Sequence, residues 1–317
     1  MAMRNFADQL IEVVESKGTP AIVGLDPRLD LLPEEFVRGD RGAERAGLSG
    51  AAAALEAFGG EVINIVGPLV PAVKVQVAFF EQFGWHGLRA YQRLVRYAHR
   101  QGLLVIGDIK RGDIASTAAA YADGHLGLAA VGGRRLKVFD TDAVTVNPYL
   151  GTDAVEPFLD AAREFGKGVF VLVRTSNASA DELQHLVADG RPVYLYVADL
   201  VRRWGEGLMG REGYSAVGAV VGATSGAALA EIRRALPKAI FLVPGYGAQG
   251  ATGSDLAAAF DEAGRGAVVN SSRGVIFAWH QAPYREAFGS ARWREAIEAA
   301  VKAMRADLAR VLEARRR

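Results

Sequence analysis

Eight short apolar runs recur along the 317 residues, separated by stretches of helical periodicity, and few folds accommodate that order. The runs are Ala21–Leu25, Ala72–Val77, Leu103–Ile106, Ala143–Val146, Gly168–Val173, Ala216–Val221, Ala239–Val243 and Gly266–Val269. Continuous apolar runs of this kind suit strands covered on both faces. Between them lie patterns such as Leu88, Tyr91, Leu94, Val95 and Ala98, which mark one face of a helix. Strand alternating with helix builds a parallel sheet, and eight is the number that closes a (β/α)8 barrel. An open doubly wound sheet would more often carry fewer strands and a single Gly-rich turn near its start. No repeat and no Pro- or Ser-rich linker divides the chain, so residues 1–317 are expected to form one barrel domain.

The flanks fit that plan. Phe6 to Lys17 reads as an amphipathic helix with Phe6, Leu10 and Val13 or Val14 on one face and Gly18 as its stop. From Trp293 onward, Ile297, Val301, Met304, Leu308 and Val311 fall at four-three spacing, the pattern of a last helix docking on the outside of the barrel. Two connections are long, Asp26 to about Ser49 and Arg111 to Asp142. Both follow a strand, so both are expected on the catalytic face. The second contains Val131-Gly-Gly-Arg-Arg, read as a flap or a subunit contact.

Composition narrows the function classes. Half the residues are apolar, and 37 basic side chains balance 36 acidic ones, which gives no electrostatic case for nucleic acid or a membrane. There is no cysteine, so disulfides, thiolate metal sites and a cysteine nucleophile are excluded. No run of about 18 apolar residues and no signal-peptide pattern occurs, and a cytoplasmic protein is the expectation. The five histidines, at 86, 99, 125, 185 and 280, show no ligand spacing, and no metal is expected.

The charges that remain to be explained sit at strand ends. The third run leads into Gly107-Asp-Ile-Lys-Arg-Gly-Asp113. Side chains two apart on a strand share a face, so Leu104, Ile106, Asp108 and Lys110 point the same way. Packing does not explain a buried strand that ends in Asp-x-Lys, because unpaired charges are costly to desolvate. Strand one ends in Gly24-Leu25-Asp26, and in strand two Lys74 and Gln76 alternate with valines. Three consecutive strand ends bearing Asp, Lys and Asp-x-Lys converge on one mouth of a barrel. A surface ion pair would explain each alone; together they indicate a site.

The second half supplies an anion site. Val243-Pro-Gly-Tyr-Gly-Ala-Gln-Gly250 follows the seventh strand, and Asn270-Ser-Ser-Arg-Gly274 follows the eighth. Gly245, Gly247 and Gly250 formally match the dinucleotide fingerprint, but the match does not open a βαβ unit and lacks the later acidic residue. Loops after strands seven and eight of a barrel instead hold phosphate through backbone N–H groups, and Arg273 adds a cationic fork. Strand five ends in Val173-Arg-Thr-Ser-Asn177, whose hydroxyls and amide suit a polar heterocycle or, more simply, a helix cap.

At these positions the chain resembles a known family. Asp108-Ile-Lys110-Arg-Gly-Asp113 matches the Asp-x-Lys-x-x-Asp signature of orotidine 5′-phosphate decarboxylases. Gly24-Leu-Asp-Pro-Arg28, Val146-Asn-Pro-Tyr149, Val173-Arg-Thr-Ser-Asn177, Val220-Val-Gly-Ala-Thr224 and Pro244-Gly-Tyr-Gly-Ala-Gln249 resemble the family's longer bacterial branch. The resemblance implies that Lys110 is the proton donor and that Asp108 faces the substrate carboxylate. It gives Asp26 and Lys74 the ribose hydroxyls, with Lys74 also ordering the charge array. Asp113 and Thr117 would reach the ribose in the partner subunit of a homodimer with shared active sites. Ser176 would read the pyrimidine, and Gln249 and Arg273, with the Gly247 loop, would grip the phosphate. The implied substrate is orotidine 5′-monophosphate, the product UMP, and no cofactor is used.

Two rivals differ in kind. A phosphosugar decarboxylase or aldolase on the same Asp-x-Lys-x-x-Asp barrel, such as the magnesium-dependent 3-keto-gulonate 6-phosphate decarboxylase, needs an acidic metal ligand near the end of strand two. Lys74 stands there, and an ammonium cannot ligate a cation. A non-catalytic nucleotide-binding protein could keep the phosphate loops but has no use for the alternating Asp–Lys array.

Overall fold

The computed structural model describes residues 4–38, 43–222, 226–247 and 256–316. Among them eight parallel strands close into a barrel: β1 Ala21–Leu25, β2 Ala72–Gln76, β3 Leu104–Arg111, β4 Ala143–Val146, β5 Gly168–Arg174, β6 Ser215–Val221, β7 Ala239–Pro244 and β8 Ala267–Ser271. Each strand pairs with the next in sequence, and β8 returns to β1 through Ala21↔Val269 and Ile22↔Asn270. Helices cover the outside, so β1, β4, β6 and β8 are buried along their whole length. That double coverage is why the strands read as unbroken apolar runs. No helix among the described residues is long and apolar enough to cross a membrane.

The N-terminal helix spans Phe6–Lys17 and ends where Gly18 turns left-handed at φ 63°. It seals the barrel end away from the strand C-termini. Phe6 lies edge-on to Phe170 at 5.9 Å and so close to Gly168 that a Cβ there would come within 2.2 Å of its ring. Asp8, also buried, accepts the backbone N–H groups of Arg211 and Glu212 at 3.0 and 2.9 Å. The C-terminal helix, Trp293–Arg316, buries Trp293, Ile297, Val301, Met304, Leu308 and Val311, the face expected from their spacing.

The two long connections part company. The first, after β1, does lie at the catalytic end: a short turn Leu29–Leu31 and a short helix Glu34–Val37 precede helix Ala43–Val66, which is broken at Gly47 (φ 58°). Phe36 anchors this insertion against Phe58 and Trp293 at 5.8 and 5.7 Å. The expectation of a long catalytic-face loop after strand three is corrected. Only 112–114 connects β3 to a helix, Ala115–His125, which is itself the barrel crossover. Val131-Gly-Gly-Arg134 is the turn of a hairpin pairing Ala129–Val131 with Arg134–Leu136. The hairpin comes after that helix, on the return to β4, so it sits at the opposite end from the chemistry. Arg135 there lies over the ring of Phe165, at the end of helix Thr152–Phe165.

One buried cation ties this lower end together. Arg233 donates to the carbonyls of Ala259, Leu236, Ala239 and Gly266 at 2.6 to 3.1 Å, and its guanidinium stacks 3.6 Å from the centre of the Phe241 ring. Replacing it with methionine keeps volume but removes the side-chain donors to four carbonyls, of which those of Leu236 and Gly266 keep a backbone N–H from Ala239 and Phe241. An unsatisfied buried carbonyl costs about 1–3 kcal/mol. Partial repacking and water will recover some of that. Arg233→Met should therefore lower unfolding stability by roughly 3–5 kcal/mol in a denaturant titration. A loss below ~1 kcal/mol would contradict the staple role.

Candidate active site

Register brings the charges together. Gln76 lies directly opposite Asp108 across the β2–β3 ladder, and Lys74, two residues back, opposes Gly24 of β1 and Ile106 of β3. Lys74, Gln76 and Asp108 share the inward face, and the Asp26 side chain follows the end of β1. The Asp108 carboxylate receives four donors. Lys74 Nζ and Gln76 Nε2 reach Oδ2 at 2.6 and 2.9 Å, while Lys110 Nζ and Thr145 Oγ1 reach Oδ1 at 2.6 and 2.8 Å. Lys74 Nζ also lies 3.4 Å from Asp26 Oδ1. The result is an Asp26–Lys74–Asp108–Lys110 chain of alternating charge, net neutral.

The two buried members of the array, Lys74 and Asp108, are stabilised in their ionised forms. Burial by itself would push the Asp108 carboxyl up, but the Lys74 and Lys110 ammonium groups outweigh it and hold it well below the usual carboxylate range. Burial likewise works against the Lys74 ammonium, and the Asp108 and Asp26 carboxylates overcome it and raise its pKa above the ordinary lysine value. Only Lys110 of this trio presents much of itself to the cavity: its side chain is 44% exposed, against 7% for both Lys74 and Asp108.

A cavity of about 560 Å³ opens above the array at the strand C-termini. Asp26, Lys74, Asp108, Lys110, Ser176 and Arg273, all singled out in the sequence, line it. The Arg273 guanidinium is exposed and has no hydrogen-bond or ion-pair partner among the described residues, which leaves it available to an anion. Gly245 and Gly247 bend the loop after β7 with φ of 101° and 77°, conformations that favour glycine. Gln249 and Thr224 lie outside the described residues. Gly247, Asp113 and Thr117 do not line this chain's cavity. Asp113 instead accepts the Ile114 N–H at 2.8 Å at the entry to helix Ala115–His125.

The wall also holds Thr145 and Gln184, which no sequence pattern marked, and Tyr246, Asn270 and Ser272, which stood out in the sequence only as members of the loop motifs after β7 and β8. Gln184 reaches back to fix the end of β5, accepting from Thr175 N at 2.9 Å and donating to Thr175 Oγ1 at 2.7 Å. Tyr246 donates to Asp307 Oδ2 at 2.9 Å and so ties the loop after β7 to the C-terminal helix. Asn270 donates to Ser272 Oγ at 3.1 Å, and its buried Oδ1 has no partner among the described residues. Gly24 permits this crowding, since a Cβ there would lie 1.9 Å from Ser272 Oγ. A polar residue inside an apolar run, or one ten residues beyond a strand end, carries no periodic signal. A different cavity, of about 320 Å³, lies at the other end between the N- and C-terminal helices, beside Pro20 and Gly266.

This barrel has close counterparts. The model of the orotidine 5′-phosphate decarboxylase / HUMPS family matches residues 22–285. An orotidine 5′-phosphate decarboxylase of Rhodopirellula baltica is 44% identical over 306 residues, covering 96% of this chain and 99% of its own. One from Caldicellulosiruptor saccharolyticus is 40% identical over 277 residues, covering 87% and 91%. The solved structure of Leishmania donovani OMP decarboxylase aligns with a TM-score of 0.74 at 30% identity, over 98% of this chain and 99% of the other. Sequence and architecture agree over nearly the whole length, and the chain belongs to the orotidine 5′-phosphate decarboxylase / HUMPS family.

Proposed function

We propose that this protein converts orotidine 5′-monophosphate to UMP and CO2 in pyrimidine biosynthesis, without a cofactor, and that residues 1–317 act as one catalytic barrel. The observation that carries the reading is the buried alternating array, with the Lys110 ammonium held 2.6 Å from Asp108 at the floor of a cavity of about 560 Å³ that Arg273 also lines. Breaking the bond from C6 to the carboxylate leaves an electron pair on C6, with no adjacent carbonyl to delocalise it. An ammonium fixed at that carbon stabilises the developing charge and then delivers its proton. Lys110 recovers a proton from solvent after product leaves.

Asp108 plays a second part. A substrate carboxylate brought near it meets repulsion of about 4 kcal/mol at roughly 4 Å, for an effective dielectric of about 20. Decarboxylation removes that repulsion, because CO2 is neutral. The contribution is small beside a barrier reduction of roughly 20 kcal/mol, so most of the acceleration belongs to electrostatic preorganisation and to binding energy from the remote phosphate. Arg273 and the loops after β7 and β8 serve the phosphate, Asp26 and Lys74 the ribose, and Ser176 the pyrimidine. Gln249, in the same loop as Gly247, completes the phosphate grip in this reading.

The donor set disfavours the metal-dependent branch of the family. Lys74 occupies the position of an acidic ligand, and all the accepting capacity of Asp108 is already taken by Lys74, Gln76, Lys110 and Thr145. Purified protein mixed with orotidine monophosphate and EDTA should show loss of the substrate's pyrimidine absorbance. No turnover would remove the decarboxylase reading. Lys110→Ala should abolish that turnover while UMP binding survives, since the phosphate grip is remote from the lost ammonium.

Arg273→Ala should weaken substrate binding by about 1.5–3 kcal/mol, the range for hydrogen bonds to a charged group. Its defect should shrink for a substrate lacking the phosphate. Equal damage with both substrates would mean that Arg273 is not the phosphate ligand.

Asp113 and Thr117 complete the site of a second subunit in a two-fold dimer. Exposed Ile114, Tyr149 and Leu150, 48–76% accessible on the adjoining β3 and β4 loops, support an apolar contact beside the mouth. Inactive Lys110→Ala and Asp113→Ala chains, mixed and allowed to exchange, should form heterodimers in which one site collects both lesions and the other none. About half the dimers are mixed, so roughly a quarter of all sites should regain activity. Subunit exchange without any recovery would sink the shared-site dimer.

A further inference from the structure

We propose that Thr145 is the positioning residue that aims the Lys110 ammonium, an inference that rests on the decarboxylase reading. Lys110 has an unusual backbone: its φ of 46° is in the left-handed region, where a lysine rarely sits. It lies where β3 slips against β4. Between the pairs Gly107↔Val144 and Arg111↔Val146, four steps along β3 match two along β4. The ladder is interrupted there, and the Lys110 N–H bonds to a side chain instead. Thr145 Oγ1 accepts it at 3.0 Å.

The same hydroxyl donates its proton to Asp108 Oδ1 at 2.8 Å, and that oxygen also receives Lys110 Nζ at 2.6 Å. A closed ring results, running from the Lys110 N–H through the Thr145 hydroxyl and the Asp108 carboxylate to the Lys110 ammonium. A hydroxyl has one proton to give, and accepting from Lys110 N–H fixes where it points. Thr145 is 1% exposed and sits at the floor of the cavity, and its described hydrogen bonds both go to the protein. It therefore acts through Lys110 and Asp108 rather than on substrate. Strained backbone persists only where its surroundings over-determine it, and the hydroxyl is the group that does so here.

Thr145→Val keeps the shape and the β-branch but deletes the ring's central link. It should lower kcat by about 30- to 100-fold, the scale expected when a reacting group is misplaced by an ångström. The KM for orotidine monophosphate and the Kd for UMP should stay within about 3-fold, because the phosphate and ribose contacts are untouched. Thr145→Ser restores the hydroxyl and should recover most of kcat. A valine variant with wild-type kcat overturns the proposal. So does a serine variant as impaired as valine, or a UMP affinity that falls in parallel with kcat, since each points to packing rather than aim. A wild-type enzyme inactive on orotidine monophosphate would instead overturn the decarboxylase reading. Should the valine variant fail to fold, hydrogen exchange on the wild-type chain decides the matter: the Lys110 amide should exchange as slowly as the β3 amides before it, and fast exchange overturns the ring.

Discussion

A carboxylate buried at the end of a strand is tolerable only if every lone pair on it is taken, and Asp108 meets that condition with donors from β2, β3 and β4. The other features of the site depend on this anion. It keeps Lys74 charged while almost wholly buried, and it holds the Lys110 ammonium at one point above the barrel floor. β2 and β3 hold their donors in register from Val73↔Val105 through Gln76↔Asp108, and β4 brings in Thr145 where its ladder with β3 slips. The catalytic geometry is thus a property of the sheet rather than of a loop.

Order at one end supports irregularity at the other. Phe6, Asp8 and Arg233 close the lower end with apolar contact and with hydrogen bonds to backbone groups. At the upper end the β3–β4 ladder is interrupted, Lys110 is left-handed, and Asn270 carries an amide oxygen without a partner among the described residues. Departures from regular structure that concentrate around reacting groups are expected where the scaffold over-determines them.

The sequence announced the barrel because parallel strands covered on both faces are apolar throughout, and β1 and β4 matched their expected bounds. It underestimated the C-terminal ends of several others. β3 runs to Arg111 rather than Ile106, and β8 to Ser271 rather than Val269, because the strand continues after the apolar run gives way to the polar residues of the site. The crossover helix after β3 was hidden for a different reason. Ala115–His125 buries only Ala118, Ala122 and His125 of its length, too little apolar surface to print a helical period, so the segment read as a loop. Asp26, Lys74, Asp108 and Lys110 were legible as charges at strand ends, where packing gives them no purpose. Thr145 was not, since a threonine within Ala143–Val146 reads as an ordinary β-former. Its task depends on a bulge in a neighbouring strand, which no local pattern encodes.

The saturation of Asp108 also bears on how such a site can change over evolutionary time. Any single replacement among Lys74, Gln76, Lys110 and Thr145 that loses the donor leaves a buried anion short of a partner, and replacing Asp108 alone leaves Lys74 stranded with only Asp26 at 3.4 Å. Intermediates between this charge array and a metal-binding one are therefore handicapped in folding as well as in chemistry. A lineage moving between the two would have to exchange several of these positions almost at once, or pass through a duplicated copy relieved of its original work. Outside the array, the hairpin 129–136, largely exposed and at the opposite end of the barrel, is under no such restraint.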